Sequence, residues 1–348
     1  MAHTNRAVAI ILGLATALGG CISGEDEELA ESESELAVYP TAHPRIYLTP
    51  NRARLSAALT GNTVAATRFR TIVNSWYAGT SVWGFAAWNG ALLSQLTGDP
   101  KYCTKSIGMV EAQVVAAETS IAAGLAPKVA LDHYLHTGEM IGDLALVYDW
   151  CFPQVTSTQR ARWIKYANQT ISNIWNHTTA TWGGKAFPWT GWSVSNPSNN
   201  YYYSFLRGTM LLGLATRGES AQADAWLTKF RDAKIVTELV PTFNADLVGG
   251  GSREGTGYGV AMRKLFELYD FWKATTGEQL STTTSHARKS MLAMIHQIVP
   301  TLDKVTPTGD HTRDRSAALF DYHRDYLQLL MQLYPTDTLS KRAKALLA

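Results

Sequence analysis

The sequence predicts an all-α protein, and three observations carry that prediction. Apolar residues recur at helical spacing along most of the 348 residues. No stretch alternates apolar and polar residues as a half-buried strand would. Gly-Asp or Gly-Glu steps follow successive periodic stretches, at Gly98-Asp99, Gly138-Glu139, Gly218-Glu219 and Gly277-Glu278. A glycine that can turn left-handed is a common helix stop. Together these features predict antiparallel helix pairs stacked in a curved or closed array. The stops are unevenly spaced, which excludes a short-period solenoid.

The elements follow in order. His43-Pro44-Arg45-Ile46-Tyr47-Leu48-Thr49-Pro50 leads into the first helix. Thr49 is expected to cap it and Pro50 to take its first position, where a missing N–H costs nothing, with the helix running over 51–59. Helices are expected over 65–76, 86–96 and 101–123, the second of these stopping at Gly98-Asp99-Pro100. The next run over 131–148 and, behind a cap at Ser157 or Thr158, over 158–175. The remainder cover 203–214, 220–239, 260–274, 285–298 and 315–333. Within Tyr148-Asp149-Trp150, Asp149 is expected to accept buried donors and hold helices together.

Residues 1–21 read as a targeting segment. Arg6 precedes an apolar stretch over 7–18 that is too short to span a bilayer. Leu18-Gly19-Gly20-Cys21 resembles a bacterial lipoprotein signal, in which the cysteine carries lipid; a plain secretory leader with an incidental cysteine is the alternative. Residues 22–40 form an acidic tether with too little apolar surface to order itself, and residues 41–348 form the helical domain. The expected location is outside the cytoplasm, lipid-anchored to the outer membrane through Cys21 and facing the periplasm or the cell surface.

The whole chain has 31 basic and 29 acidic residues. Residues 1–36 hold one of the basic and seven of the acidic ones, which leaves 30 against 22, a formal +8. A basic body suits an anionic partner. No dense Lys/Arg run or reader motif points to nucleic acid, so an acidic polysaccharide is the expected partner. Cys103 and Cys151 fit either a disulfide or two buried thiols. His133 and His136 could share a helical face, but imidazoles satisfy core hydrogen bonds as readily as metals. No metal and no cofactor is expected.

Three stretches break the helical plan. One is the aromatic run 83–88. The second is Thr181-Trp182-Gly183-Gly184-Lys185-Ala186-Phe187-Pro188-Trp189-Thr190-Gly191-Trp192. The third is Gly249-Gly250-Gly251-Ser252-Arg253-Glu254-Gly255-Thr256-Gly257-Tyr258, too rich in glycine for a helix interior. Loops gathered at one end of a helical array would ring a cleft. There Trp182, Trp189 and Trp192 could stack on sugar rings.

With the leading segment, Ala145-Leu146-Val147-Tyr148-Asp149-Trp150, Thr158-Gln159-Arg160, Asn199-Asn200, Gly213-Leu214-Ala215, the glycine run ending at Tyr258 and Gly309-Asp310, the chain resembles the heparinase II/III-like and alginate-lyase group of bacterial polysaccharide lyases. The likeness lies in the order and spacing of these pieces over nearly the whole mature chain. It implies an incomplete (α/α) toroid of antiparallel helix pairs with a cleft for an anionic polysaccharide. Relatives in that group usually continue into a β-sandwich, whereas this chain ends at Ala348 after its last helix.

The resemblance also implies roles. Tyr258 matches the tyrosine that exchanges the proton, as base, acid or both. Asn200 matches the asparagine that binds the substrate carboxylate, and a helix cap is the competing role for Asn199 or Asn200. Where many of that group have a histidine, this chain has Tyr201, so Tyr201 or Tyr202 is expected to donate a hydrogen bond in its stead. Arg253 could hold a carboxylate or sulfate in a fork, with Glu254 orienting Arg253 or the loop. Apart from the resemblance, the density of His311, Arg313 and Arg315 after Gly309-Asp310 suggests one side of the cleft or a helix entry, with His311 the best catalytic histidine candidate and Arg315 a substrate-binding one. The reaction implied is β-elimination on a uronic-acid-containing glycan. The alternatives are a noncatalytic acidic-glycan-binding lipoprotein, or a glycoside hydrolase on the same helical frame with Asp246 and Glu254 as its carboxylates.

Overall fold

The computed structural model describes residues 37–309 and 317–347, which lie in one unit, Glu35–Ala348. These residues are all-α apart from a two-stranded hairpin, Thr181–Trp182 with Lys185–Ala186, and isolated bridges. The leader, Cys21, residues 22–36 of the tether, His311 and Arg315 lie outside the described residues. The last residues of the tether are a correction: Val38 N donates to the Thr276 carbonyl at 3.0 Å and the Tyr39 ring packs edge-on against Trp272, so the ordered domain begins before residue 41.

Local chemistry accounts for several helix ends. α1 (Leu48–Thr60) begins one residue before the expected cap, with Pro50 still inside its first turn. α2 spans Val64–Tyr77 and α3 Ala87–Thr97, the latter stopping at Gly98 in the left-handed conformation. α4 (Pro100–Ala122) starts behind Asp99, whose side chain accepts from Lys101 N. α5 covers Thr137–Trp150 and α6 Ser157–Trp175. The cap of α6 is Thr156, one residue earlier than expected, with Gln159 reaching back to complete a capping box. Of the four proposed glycine stops, Gly138 is a correction. It lies in the first turn of α5, where a Cβ would meet Ser204 of the facing helix.

α7 (Asn200–Thr216) is buried along almost its whole length and is the central helix. After it come α8 (Ala223–Thr228), a π-helical stretch Lys229–Leu239 and α9 (Val240–Asp246) without a break. α10 (Arg263–Thr276), α11 (His286–Gln297), α12 (Asp321–Leu333) and α13 (Thr338–Leu347) complete the array.

α3 packs on α5, α5 on α7, α7 on α10 and α10 on α12, while α1 packs on both α3 and α10. Two pairs reveal direction. Ser204 Oγ accepts from Gly138 N at 2.8 Å and, further along both helices, Arg207 meets Asp143 at 2.9 Å. Arg263 meets Asp325 at 3.7 Å and, seven residues on in each helix, Gln332 donates to Asp270 at 2.7 Å. So α5 runs parallel to α7, and α10 parallel to α12. Arg207 also reaches Glu267 of α10 at 3.1 Å, cross-linking three of these helices.

At the carboxyl end of α5 Asp149 accepts buried donors, as expected, and the donors come from the leading segment. Asp149 is fully buried and accepts from Arg45 N, from Ile46 N and from His43 Nδ1, the last at 2.5 Å. Arg45, 3% exposed, donates to the Arg217 carbonyl that ends α7. Cys103 and Cys151 form a disulfide with Cα atoms 5.5 Å apart, joining α4 to the end of α5. Among the described residues no helix is long and apolar enough to cross a membrane.

Candidate functional site

The opposite end of α7 gathers most of the described candidates. Asn199 is its cap: the side-chain oxygen accepts from Tyr201 N at 3.1 Å. That occupies the first asparagine and leaves the second. The side-chain amide of Asn200 makes no hydrogen bond among the described residues, and the residue is half-buried.

The glycine run folds over this helix end. Glu254 accepts from Asn200 N at 2.8 Å and from Asn199 Nδ2 at 3.0 Å, a carboxylate set on a helix amino terminus. Glu254 therefore orients the loop against α7, not Arg253, whose guanidinium pairs with Asp246. With Asp246 and Glu254 both so engaged, the carboxylate pair nominated for a hydrolase has other partners.

The loop is held on its other side too. His286 is buried; its Nε2 donates to the Gly251 carbonyl at 2.8 Å, and burial pushes its pKa down to about 4. His323 Nε2 donates to the Thr256 carbonyl at 2.8 Å. Gly255 and Gly309 form a bridge, with positive φ of 74° and 56°. A Cβ on Gly255 would lie 2.1 Å from the Thr308 carbonyl oxygen, and one on Gly309 2.5 Å from that of Glu254. The two chains can approach this closely only because neither carries a side chain there.

Tyr258 emerges from this clamp at the start of a 3-10 turn, Tyr258–Met262, and is 50% exposed. Tyr201, in the first turn of α7, donates to Asp132 Oδ1 at 2.9 Å. Its pKa is pushed up to about 12, first by burial, then by the bond to Asp132 and by the nearby charges of Asp132, Tyr258 and Glu254. Tyr201, Asp132, Tyr258 and Glu254 are thus one electrostatic cluster.

Asp132 is the residue that sequence reasoning missed. The stretch 131–136 was expected to belong to the helix over 131–148. Instead it makes a tight turn before α5 in which Asp132, His133 and Tyr134 have φ of 48°, 51° and 63°. Left-handed backbone costs a non-glycine residue on the order of 1–2 kcal/mol. A run of three survives only where its surroundings enforce it. Tyr134, buried, accepts from Trp182 Nε1 at 3.2 Å, and the Leu135 carbonyl accepts from Ser204 Oγ.

The aromatic candidates divide by burial. Trp192 is 55% exposed. Trp189 is half-buried, donates to the Asn173 carbonyl at 2.9 Å and lies 6.1 Å from the His133 ring. Trp182 and Tyr202 are corrections, being 1% and 0% exposed. Trp182 roofs the core from the hairpin. Tyr202 donates to the Lys234 carbonyl at 2.9 Å and lies 3.2 Å from Glu238, anchoring the π-helical stretch, and burial raises its pKa further. The Trp182 ring is closed to a sugar face, and the Tyr202 hydroxyl, expected as a donor to substrate, is spent inside the core on the Lys234 carbonyl.

Beneath this end a cavity of about 430 Å³ is lined by Tyr47, Trp88, Asp143, Arg207, Lys264 and Glu267, among others. Most of its charges are paired: Arg207 with Asp143 and Glu267, Lys264 with Glu139, and Arg263 with Asp325 outside the lining, while Asp270 accepts from the neutral Gln332. Burial pushes Asp143 up to about 6 in spite of Arg207. Among the described residues no group of three or more His, Cys, Asp or Glu side chains is arranged to hold a metal ion. No family model matches the chain, and no curated protein matches it.

Proposed function

We propose that this protein is a polysaccharide lyase that cleaves an acidic, uronate-containing glycan by β-elimination. The observation that carries the reading is the meeting of Asn200, Tyr201 and Tyr258 at one helix end, with the Asn200 amide unspent and Tyr258 half exposed. In this reading the Asn200 amide binds the uronate carboxylate and takes up charge that develops there as the C5 proton leaves. Tyr258 exchanges the proton, as base, acid or both. Trp192 offers a face for a neighbouring sugar. The parallel course of α5 and α7 brings two helix amino termini to the same end, which favours an anionic group there, as does the +8 body.

We read the helices as an incomplete (α/α) toroid. The packing of α1 on both α3 and α10 supports this, as do the successive contacts through α5 and α7. The Cys103–Cys151 disulfide supports an oxidising compartment, in keeping with export and lipid attachment at Cys21.

The test is direct. Purified protein is incubated with alginate, heparan-type and chondroitin-type glycans, and the unsaturated sugar end is followed by ultraviolet absorbance. Product from one of these glycans, reduced at least about 100-fold by Tyr258→Phe, is the expected result. Binding without product, indifferent to Tyr258→Phe, would replace the lyase with a glycan-binding lipoprotein. New reducing ends without absorbance would replace it with a hydrolase.

A further inference from the structure

The strained turn before α5 holds one functional group in one position. Asp132, His133 and Tyr134 keep left-handed backbone at φ of 48°, 51° and 63°, and the product of that geometry is a carboxylate 2.9 Å from the Tyr201 hydroxyl. A helical continuation through 131–136 would have removed the strain and carried Asp132 elsewhere. The buried Tyr134 and the bonds of Ser204 to the Leu135 carbonyl and to Gly138 N fix the turn on α7. Tyr201 in turn is coupled to Tyr258 and Glu254.

We propose that Asp132 and Tyr201 form a proton relay that serves as the base of the site, leaving Tyr258 as its acid. This rests on the lyase reading and divides the roles that reading leaves joined. The C5–H bond of the uronate breaks and its proton goes to Tyr201 Oη, while the proton already on Tyr201 passes to Asp132 Oδ1. The electron pair of the C5–H bond becomes the C4=C5 double bond. The C4–O4 bond breaks with its pair on O4, and O4 takes the proton of Tyr258. Asp132 ends protonated and Tyr258 as phenolate, and transfer of one proton between them through solvent restores both. Tyr201 touches the substrate; Asp132 acts through it as a positioning residue.

The relay predicts a specific pattern of non-additivity. On whichever glycan the wild type cleaves, Asp132→Asn and Tyr201→Phe should each lower kcat about 100-fold with KM little changed. The double variant should be no slower than the slower single one, because each change removes the same path. Asp132→Glu should recover part of the loss. Asp132→Gly relieves the backbone strain while deleting the carboxylate, so it should fold and still be slow. An independent readout needs no turnover. In protein with isotope-labelled tyrosine rings, Asp132→Asn should lower the ionisation pH of Tyr201 from about 12, since the carboxylate favours the neutral phenol. Full kcat in Asp132→Asn or Asp132→Gly, a double variant slowed by the product of the single losses, or an unmoved Tyr201 ionisation would each overturn the relay. A wild type that cleaves no acidic glycan would instead overturn the lyase reading and the relay with it.

Discussion

Asp149 and Glu254 fasten the two ends of the inner helices in closely similar ways. Each is a carboxylate from one element that accepts a backbone N–H of another: Asp149 those of Arg45 and Ile46, Glu254 that of Asn200. At the Asp149 end the carboxylate meets donors from Arg45, Ile46 and His43 inside the protein, although Arg45 Nε and the Tyr148 hydroxyl are buried there with no partner among the described residues. Asp149 is fully buried, and the Arg45 guanidinium covers the terminal carbonyl of α7, where a cation suits the helix dipole. At the Glu254 end the same device stands beside exposed side chains. Tyr258 is half exposed and the Asn200 amide is unspent. The difference teaches that a carboxylate lock sealed in the core marks structure, whereas chemistry is to be sought where an equally firm lock holds side chains that remain open to solvent.

The largest expected effect comes from breaking the satisfied end. Asp149→Ala strands two backbone N–H groups in the core and leaves His43 and Arg45 without their shared anchor. Removing one partner from such a buried network costs about 3–5 kcal/mol. Urea unfolding should register that loss, while, on the proposed lyase reading, the folded fraction keeps its turnover. Retained stability with lost turnover would reverse the assignment of the two ends.

A smaller effect, of opposite character, comes from His286 beneath the glycine loop. Its folded pKa of about 4 lies below the unfolded value of 6.5, so the unfolded chain takes up the proton first as pH falls. The stabilisation is complete above pH 6.5, is lost progressively between about 6.5 and 4, and is flat below. The span is on the order of 3 kcal/mol. Asp143, pushed up to about 6, acts in the opposite sense, since its folded form binds the proton first. Comparison with His286→Gln cancels that contribution, because Asp143 is present in both proteins. Gln keeps a donor near the Gly251 carbonyl but does not titrate, so the stability difference between the two proteins should shrink as pH falls from 7 to 4. A pH-independent difference would remove His286 from this account.

Much of the fold was legible because its signals are local. Gly98 and Gly277 stop their helices with φ of 74° and 85°, as their residue type announces, whereas the cap of α6 falls on Thr156, one residue before the Ser157 or Thr158 expected. A cap needs only three or four neighbouring residues to declare itself. The stretch 131–136 was misread because what overrides its helical pattern is tertiary: Ser204 and Tyr201 lie 69 residues from their partners Leu135 and Asp132. α13 went unrecognised, being ten residues long and joined to α12 by a short turn. Within the site, sequence identified the glycine run and the asparagine pair, since glycine and cap chemistry are written in residue type. It could not separate Trp192 from Trp182 or Tyr258 from Tyr202, because an aromatic ring has the same apolar character whether it closes a core or faces a ligand.

The smallest expected effect sharpens the comparison most. Glu254→Gln preserves shape and one acceptor but turns an N–H₂ group toward Asn199 Nδ2 or Asn200 N, both of which are donors. It also removes a negative charge from the amino terminus of α7. Each change is worth about 1 kcal/mol, so urea unfolding should show a loss of about 1–2 kcal/mol, well below that of Asp149→Ala. Turnover should fall further than so small a loss implies, because the loop that carries Tyr258 is referenced to α7 through this carboxylate, and a displacement of about 1 Å at a reacting group costs about 100-fold. Glu254→Asp keeps the charge and both acceptors on a shorter arm, and it should recover stability before it recovers rate. If Glu254→Gln lost stability and rate in proportion, the two carboxylates would be equivalent locks, and the amino end of α7 would have no special claim to the chemistry.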